Sequence, residues 1–247
     1  MHVDIKLVKS DSTHIQPFRT LFLHENNFQF IYDKCHRYGW AESWVCLVDG
    51  LEVGYGSIWG SITREIRDAI FEFYITPPFR HLSNAFFIQL CTVSGALFIE
   101  CQSNDTSLSS MLYQYAKDIN AEAILFEDHF ESRLAPSNES ALFSKRNDKD
   151  NRTEDEYIIE LDNTVIGGGG LMLNYNLPYA DVYMQIQEPF RGKGYGSWLV
   201  QELKKEAYRI SRVPAARCNI NNYISKTTLQ KAGFAPCGFI LKGSIKK

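Results

Sequence analysis

No stretch of this 247-residue chain approaches the roughly 18 consecutive apolar residues that a membrane-spanning helix requires. The opening residues, Met1 to Ser10, lack the uninterrupted apolar core of a secretory leader, so a cytoplasmic location with no membrane partner is expected. An excess of basic charge is also missing. The 26 Lys and Arg stand against 29 Asp and Glu, a formal net charge of −3, which argues against a nucleic-acid partner held by phosphate neutralisation. The six cysteines, at 35, 46, 91, 101, 218 and 237, form no C-x-x-C pair and show no His-paired spacing. Neither a metal site nor a disulfide framework is expected from them, only reduced and mostly buried thiols. No serine or cysteine sits in a recognisable nucleophile motif, which argues against a covalent enzyme intermediate.

What is present begins with enough apolar residues, 45%, to bury a core, in a chain long enough for one large or two small domains. The stretch from Tyr179 to Ala207 organises the rest. Asp181 to Ile186 alternates as a strand does, and Trp198, Leu199, Leu203 and Ala207 recur at helical spacing. Between them Gly192, Gly194 and Gly196 remove side chains where the backbone turns, leaving N–H groups to face an anion at the helix N-terminus. The spacing is neither G-x-x-x-x-G-K-[ST] nor G-x-G-x-x-G.

Arg191-Gly192-Lys193-Gly194-Tyr195-Gly196 fits R-x-x-G-x-G. Downstream, Asn222-Tyr223-Ile224-Ser225 leads at fixed spacing to Gly233-Phe234. On these residues the chain resembles the GNAT superfamily of acyl-CoA-dependent N-acyltransferases, strongly over about 157–241 and weakly over 44–112. The resemblance implies that acetyl-CoA, or another acyl-CoA, is the cosubstrate, with no metal. It implies coenzyme contacts from Ile186, Gln187, Arg191, Gly192, Lys193, Gly194, Tyr195, Gly196, Ser197, Asn222 and Ser225. It also implies a bulge in the preceding strand whose backbone N–H, at Ile186 by spacing, polarises the thioester carbonyl.

The first half repeats the pattern. Val53-Gly54 aligns with Ile166-Gly167, Ile75-Thr76-Pro77-Pro78-Phe79-Arg80 with Ile186 to Arg191, and Asn104 to Ser107 with Asn222 to Ser225, at offsets of 113, 111 and 118. Hairpins are expected at Asp49-Gly50 and Asp162-Asn163. The expected architecture is therefore mixed α/β, a tandem GNAT fold of two similar lobes, 1–135 and 136–247, joined near the polar run Ser144 to Asn151. After Arg80 the first lobe reads His81-Leu82-Ser83-Asn84 with no glycine, so it is expected to have lost its coenzyme site. The aromatic cluster Phe71, Phe73, Tyr74, Phe79, Phe86 and Phe87 is expected to be inter-lobe core.

Acyl transfer to an amine needs a proton acceptor and a proton donor. Many relatives carry a tyrosine seven residues after the motif Asn, where this chain has Leu229, so either the thiolate leaves toward water without help or another hydroxyl, of Tyr175, Tyr179, Tyr183 or Tyr223, serves as the acid. Where some relatives carry a glutamate base this chain has Arg217. Asp181 is the first candidate base, ahead of Glu72 and the run Glu127-Asp128-His129. The run Gly167 to Gly170 lies in a strand and points to close backbone approach. Lys204-Lys205 read as exposed helix face. A small amine or polyamine is the expected acceptor, and a non-catalytic acyl-CoA-binding or regulatory module is the alternative.

Overall fold

A computed structural model describes residues 3–29, 32–147 and 156–246. The end of the polar run expected to join the lobes, Asp148 to Asn151, lies outside them. The chain forms two compact units, Met1–Glu122 with Phe239–Lys247, and Ala123–Gly238. That division differs from the one expected at 135/136, because residues 123–135 fall in the second unit and residues 239–247 in the first.

The first unit holds β1 (Ile5–Ser10), α1 (Gln16–Leu23), α2 (Tyr32–Arg37), β2 (Ala41–Val48), β3 (Leu51–Trp59) and β4 (Ala69–Ile75). A 3-10 turn at Pro77–Leu82 then runs directly into α3 (Ser83–Ser94), followed by β5 (Phe98–Gln102) and α4 (Thr106–Tyr115). The strands lie in the order β1-β2-β3-β4-β5, antiparallel except for β4 beside β5. Residues 240–244 add an antiparallel strand beyond β5.

Next, β6 (Ala116–Asp128) carries the chain into the second unit. It continues through β7 (Leu142–Lys145), β8 (Tyr157–Leu161), β9 (Thr164–Met172), β10 (Tyr179–Ile186), a 3-10 turn at Glu188–Phe190, α5 (Tyr195–Arg209), β11 (Val213–Asn219) and α6 (Tyr223–Lys231). Finally β12 (Phe234–Ile245) leads back to the first unit. Here the order is β7-β8-β9-β10-β11-β6, with β10 and β11 the parallel pair.

Local chemistry explains the repeated plan. Asp49 and Gly50 have φ of 50° and 84°, and Asp162 and Asn163 have 50° and 60°. Two successive positive φ values give the tight turn whose twist matches antiparallel strands, and Asp, Asn and Gly tolerate them best. After β4 and after β10 the same hydrogen bonds recur. Thr76 N–H donates to Val53 O at 2.8 Å and Gln187 N–H to Ile166 O at 2.9 Å. Arg80 Nε donates to Ile75 O at 3.1 Å and Arg191 Nε to Ile186 O at 2.9 Å. The helix after each parallel strand is capped alike, Asp105 accepting from Leu108 N–H and Asn222 from Ser225 N–H. Asp105, not Asn104, is therefore the counterpart of Asn222, because the capping geometry fixes the alignment one residue along.

Each unit has its own core. Phe73, Phe86, Phe87, Leu90, Ile99 and Leu108 fill the first, and Val182, Trp198, Leu199, Leu203 and Phe234 the second. The aromatic cluster expected between lobes is thus largely interior to the first unit. The described cysteines are all free thiols, four of them buried.

Candidate active site

The second unit opens between its two parallel strands. β10 pairs with β11 only from Tyr179/Val213 to Asp181/Ala215. Beyond that rung β10 keeps β9 as its partner, in unbroken register from Asp181/Met172 to Ile186/Gly167. The bulge expected in this strand is therefore absent from the β10–β9 pairing. It occurs instead in the first unit, where Ser57 faces Glu72 but Ile58 faces Ile70, leaving Phe71 extra.

Hydrogen-bond alternation then fixes which groups face the opening. Val213 N–H donates to Pro178 O and Gln187 N–H to Ile166 O. Even-numbered residues of β10 thus direct their N–H and C=O toward β11, and odd-numbered ones toward β9. Past the last closed rung, the N–H groups of Met184 and Ile186 meet no facing strand. The N–H of Ile186 faces the opening from a regular strand, without a bulge. Met184, which the sequence reading passed over, presents its own one pleat nearer the closed end; only the hydrogen-bond phase of the strand could reveal it.

At the outer end of β10 lies the glycine turn. Gly192 and Gly194 have φ of 75° and 85°, a region in which side-chain-bearing residues are strained. A β-carbon on Gly192 would meet nothing within 4 Å, so backbone conformation, not crowding, selects glycine there. Gly196 differs. Its β-carbon would press on Thr228 Cγ2 at 3.3 Å and Met184 Cε at 3.4 Å, so it serves the approach of α5 to its neighbours. Gly194 caps α5, and the first intrahelical bond runs from Trp198 N–H to Gly194 O. The N–H groups of Gly194, Tyr195, Gly196 and Ser197 consequently have no partner inside the helix and lie at its positive end.

A cavity of about 640 Å³ joins these features. Of the sequence-predicted residues, Ile186, Arg191, Gly192, Gly194, Tyr195, Gly196, Ser197, Asn222 and Ser225 line it, together with Met184, Tyr223, Thr228 and Lys231. Gln187 and Lys193 do not. The Gln187 amide donates to Val165 O at 2.7 Å, and the Lys193 ammonium lies over the Phe190 ring. Arg191 braces the turn through Ile186 O, and Asn222 Oδ1 is engaged in capping α6. In the first unit the 3-10 turn meets α3 at Leu82, whose φ is −95°, so the αL glycine turn has no equivalent.

The opposite face of the sheet carries the titratable candidates. Ala180, Val182 and Ile186 point into the core with Ala216 and Cys218, so Asp181 and Tyr183 of β10 share the other face with Arg217 of β11. Asp181 is buried at the last closed rung, its Oδ2 3.8 Å from Arg217 Nε. Arg217 donates to the Tyr175 hydroxyl and stacks over that ring. Tyr183 is 37% exposed, whereas Tyr179 is buried and its phenol pushed up by desolvation. Leu229 is core. Glu72 is engaged in a buried ion pair of the first unit. Asp128 pairs with Lys204 at 2.5 Å and accepts from the Tyr208 hydroxyl. Lys204, expected on an exposed face, is only 5% accessible because Phe130 O and Ala232 O complete its ammonium shell.

The glycine run explains how Tyr183 sits. A β-carbon on Gly169 would lie 2.3 Å from the backbone oxygen of Tyr183, whereas one on Gly170 would meet only the far end of the Tyr183 ring, at 2.7 to 2.9 Å. Backbone cannot yield without breaking the β9–β10 ladder, but a ring can swing. Gly169→Ala is therefore expected to destabilise by about 2 kcal/mol or more in urea unfolding, and Gly170→Ala by less than about 1 kcal/mol. Equal losses would show that the ring is as immovable as the strand.

Comparison with known proteins agrees with this geometry. Residues 120–234 match the model of the acetyltransferase (GNAT) family. No curated protein sequence is matched by the chain. Among solved structures, a GNAT-family acetyltransferase from Colwellia psychrerythraea superposes with a TM-score of 0.79 at 12% identity, covering 98% of this chain and 100% of that one. A tandem GNAT protein from the clavulanic acid biosynthesis pathway gives a TM-score of 0.65 at 11% identity, covering 99% of each chain. At these identities the likeness is one of fold. Residues 120–234 are thus similar to the acetyltransferase (GNAT) family, within a chain that has the tandem form of the GNAT fold.

Proposed function

We propose that the second unit binds an acyl-CoA, acetyl-CoA foremost, and transfers the acyl group directly to the amine of a small acceptor. The observation that carries this reading is one continuous cavity running from the unpaired β10 edge to the free N–H groups of Gly194 to Ser197. Those four N–H groups, at a helix N-terminus with no side chain at Gly194, suit a pyrophosphate. Bound acyl-CoA would supply the acyl group as a thioester.

From the phosphate end, the Ile186 N–H is met first and aligns an extended chain along the strand edge. The Met184 N–H, one pleat deeper, is the donor at the acyl end, which shifts the polarising role expected of Ile186 by one pleat. In the transfer the acceptor nitrogen gains the acyl carbon as the carbon–sulfur bond breaks; nitrogen loses one proton and the thiolate gains one. On the acceptor face we assign the incoming proton to the Tyr183 hydroxyl and the departing one to Asp181. The first unit, without the glycine turn, binds no coenzyme.

Calorimetric titration with acetyl-CoA tests the reading. One site per chain is expected. Gly194→Asp should abolish binding by setting a carboxylate among the phosphates, while Gly194→Asn, which tolerates the same φ without charge, should retain most of it. Two sites would overturn the account of the first unit, and no binding by the folded protein would overturn the coenzyme assignment. The core position of Leu229, where relatives place a tyrosine, favours a second reading, a non-catalytic acyl-CoA-binding module. Tight binding without thiol release across an amine panel would support it.

A further inference from the structure

We infer that the acceptor is an amine carrying its own anionic group, held by Arg217; this rests on the acyl-transfer reading and names its substrate class. Beyond the last closed rung, Asp181/Ala215, Met184 lies three residues along β10 and Arg217 two residues along β11. The two positions thus differ by one residue, about 3.3 Å along the strand direction. Arg217 is the cation that β11 presents beside the opened edge, on the face away from α5.

Its guanidinium is built to receive a ligand. The Arg217 side chain is 31% exposed, while its stem and plane are fixed from below by the Tyr175 ring, 5.2 Å away. One N–H is given to the Tyr175 hydroxyl. The Asp181 carboxylate, at 3.8 Å from Nε, is near enough to hold the charge in position but beyond hydrogen-bond reach. Most of the donor fork therefore remains for a carboxylate or similar anion, which guanidinium binds in bidentate fashion. The carboxylates on this side, Asp181 and Glu127, belong to the closed rung at Ala215, farther from the opening. An acceptor of this class lies with its anion on Arg217 and its amine toward the Met184 edge. A polyamine, expected from net charge alone, would instead bring a second cation against Arg217.

The test compares ω-amino carboxylates, from glycine to 6-aminohexanoate, with alkylamines and diamines of matched length, following thiol release from acetyl-CoA. Wild type should favour the best amino carboxylate over its alkylamine by about tenfold to a hundredfold in kcat/KM, mainly through KM. Arg217→Gln should erase that preference with acetyl-CoA binding unchanged, Arg217→Lys should keep part of it, and Arg217→Glu should turn it toward diamines. A preference unchanged in Arg217→Gln, or a wild type that favours diamines, overturns the inference. Because Arg217→Gln strands the Asp181 carboxylate, Asp181→Asn/Arg217→Gln provides a second, charge-balanced variant, read by binding of the amino carboxylates and not by turnover, with thermal melting as the folding control. If no acceptor releases thiol, the acyl-transfer reading fails separately. Binding of the amino carboxylates to wild type and Arg217→Gln, read by saturation-transfer NMR, then decides the inference: binding lost in the variant supports it, and no binding to wild type overturns it.

Discussion

A chain ending at Gly238 is expected to lose the cooperative fold of its first unit. Ile240 to Ser244 pair with Gln102 to Phe98, so the deletion uncovers the edge of β5 on the side away from β4. It also removes Ile240, 3% exposed, and the partly buried Leu241 and Ile245, which pack on the first core. Burial of three such side chains is worth about 5 kcal/mol, the scale of a whole domain's stability. Limited proteolysis should cut the shortened chain rapidly within residues 3–122, and urea unfolding should lose a transition that the full chain shows. An unchanged unfolding curve would mean that β5 needs no partner there. An isolated 1–135 fragment should fail for the same reason.

Replacing Arg19 by Met is the point change expected to cost most in the first unit, about 3–5 kcal/mol, because it leaves a buried carboxylate without its main partner. Glu72 is wholly inaccessible. Arg19 Nε lies 3.3 Å from both of its oxygens, Arg19 Nη2 3.2 Å from Oε1, and His36 Nε2 2.8 Å from Oε2. Burial alone would raise the Glu72 carboxyl, but Arg19 and His36 together outweigh it and hold the group at about 2. Since the folded value is below the ordinary 4.5, the contribution of Glu72 is complete above pH 4.5 and is lost as pH falls from there through about 2. In Arg19→Met the acid limb should move upward. Arg19→Met/Glu72→Met, with both charges gone, should recover much of the loss at pH 7. Urea unfolding at pH 7 and pH 3.5 separates these outcomes; a single-variant loss below about 1 kcal/mol would show that water already reaches Glu72.

Both predictions concern pairings that no local pattern announces. What the sequence could announce were features whose cause is local. Glycine at 192 and 194 was readable because only a residue without a β-carbon sits easily at those φ values. Asp49-Gly50 and Asp162-Asn163 declared their turns through the same constraint. The duplication was readable because each copy repeats these local demands in the same order.

The rest depends on partners distant in the chain. That residues 239–247 complete the first unit follows from which strand is left to cover β5, and the sequence places those residues beside the second repeat. The bulge fell at Phe71 and not in β10 because it reflects a mismatch between two strands, which neither encodes alone. Lys204 looks like a surface lysine until Phe130 O, Ala232 O and Asp128 surround it. By itself the sequence determined the turns, the repeat and the glycine cradle, since each is a statement about allowed backbone angles over a few residues. Only the tertiary structure decided which strand edges remain open and which charges face them, because an open edge is defined by the strand that is not there.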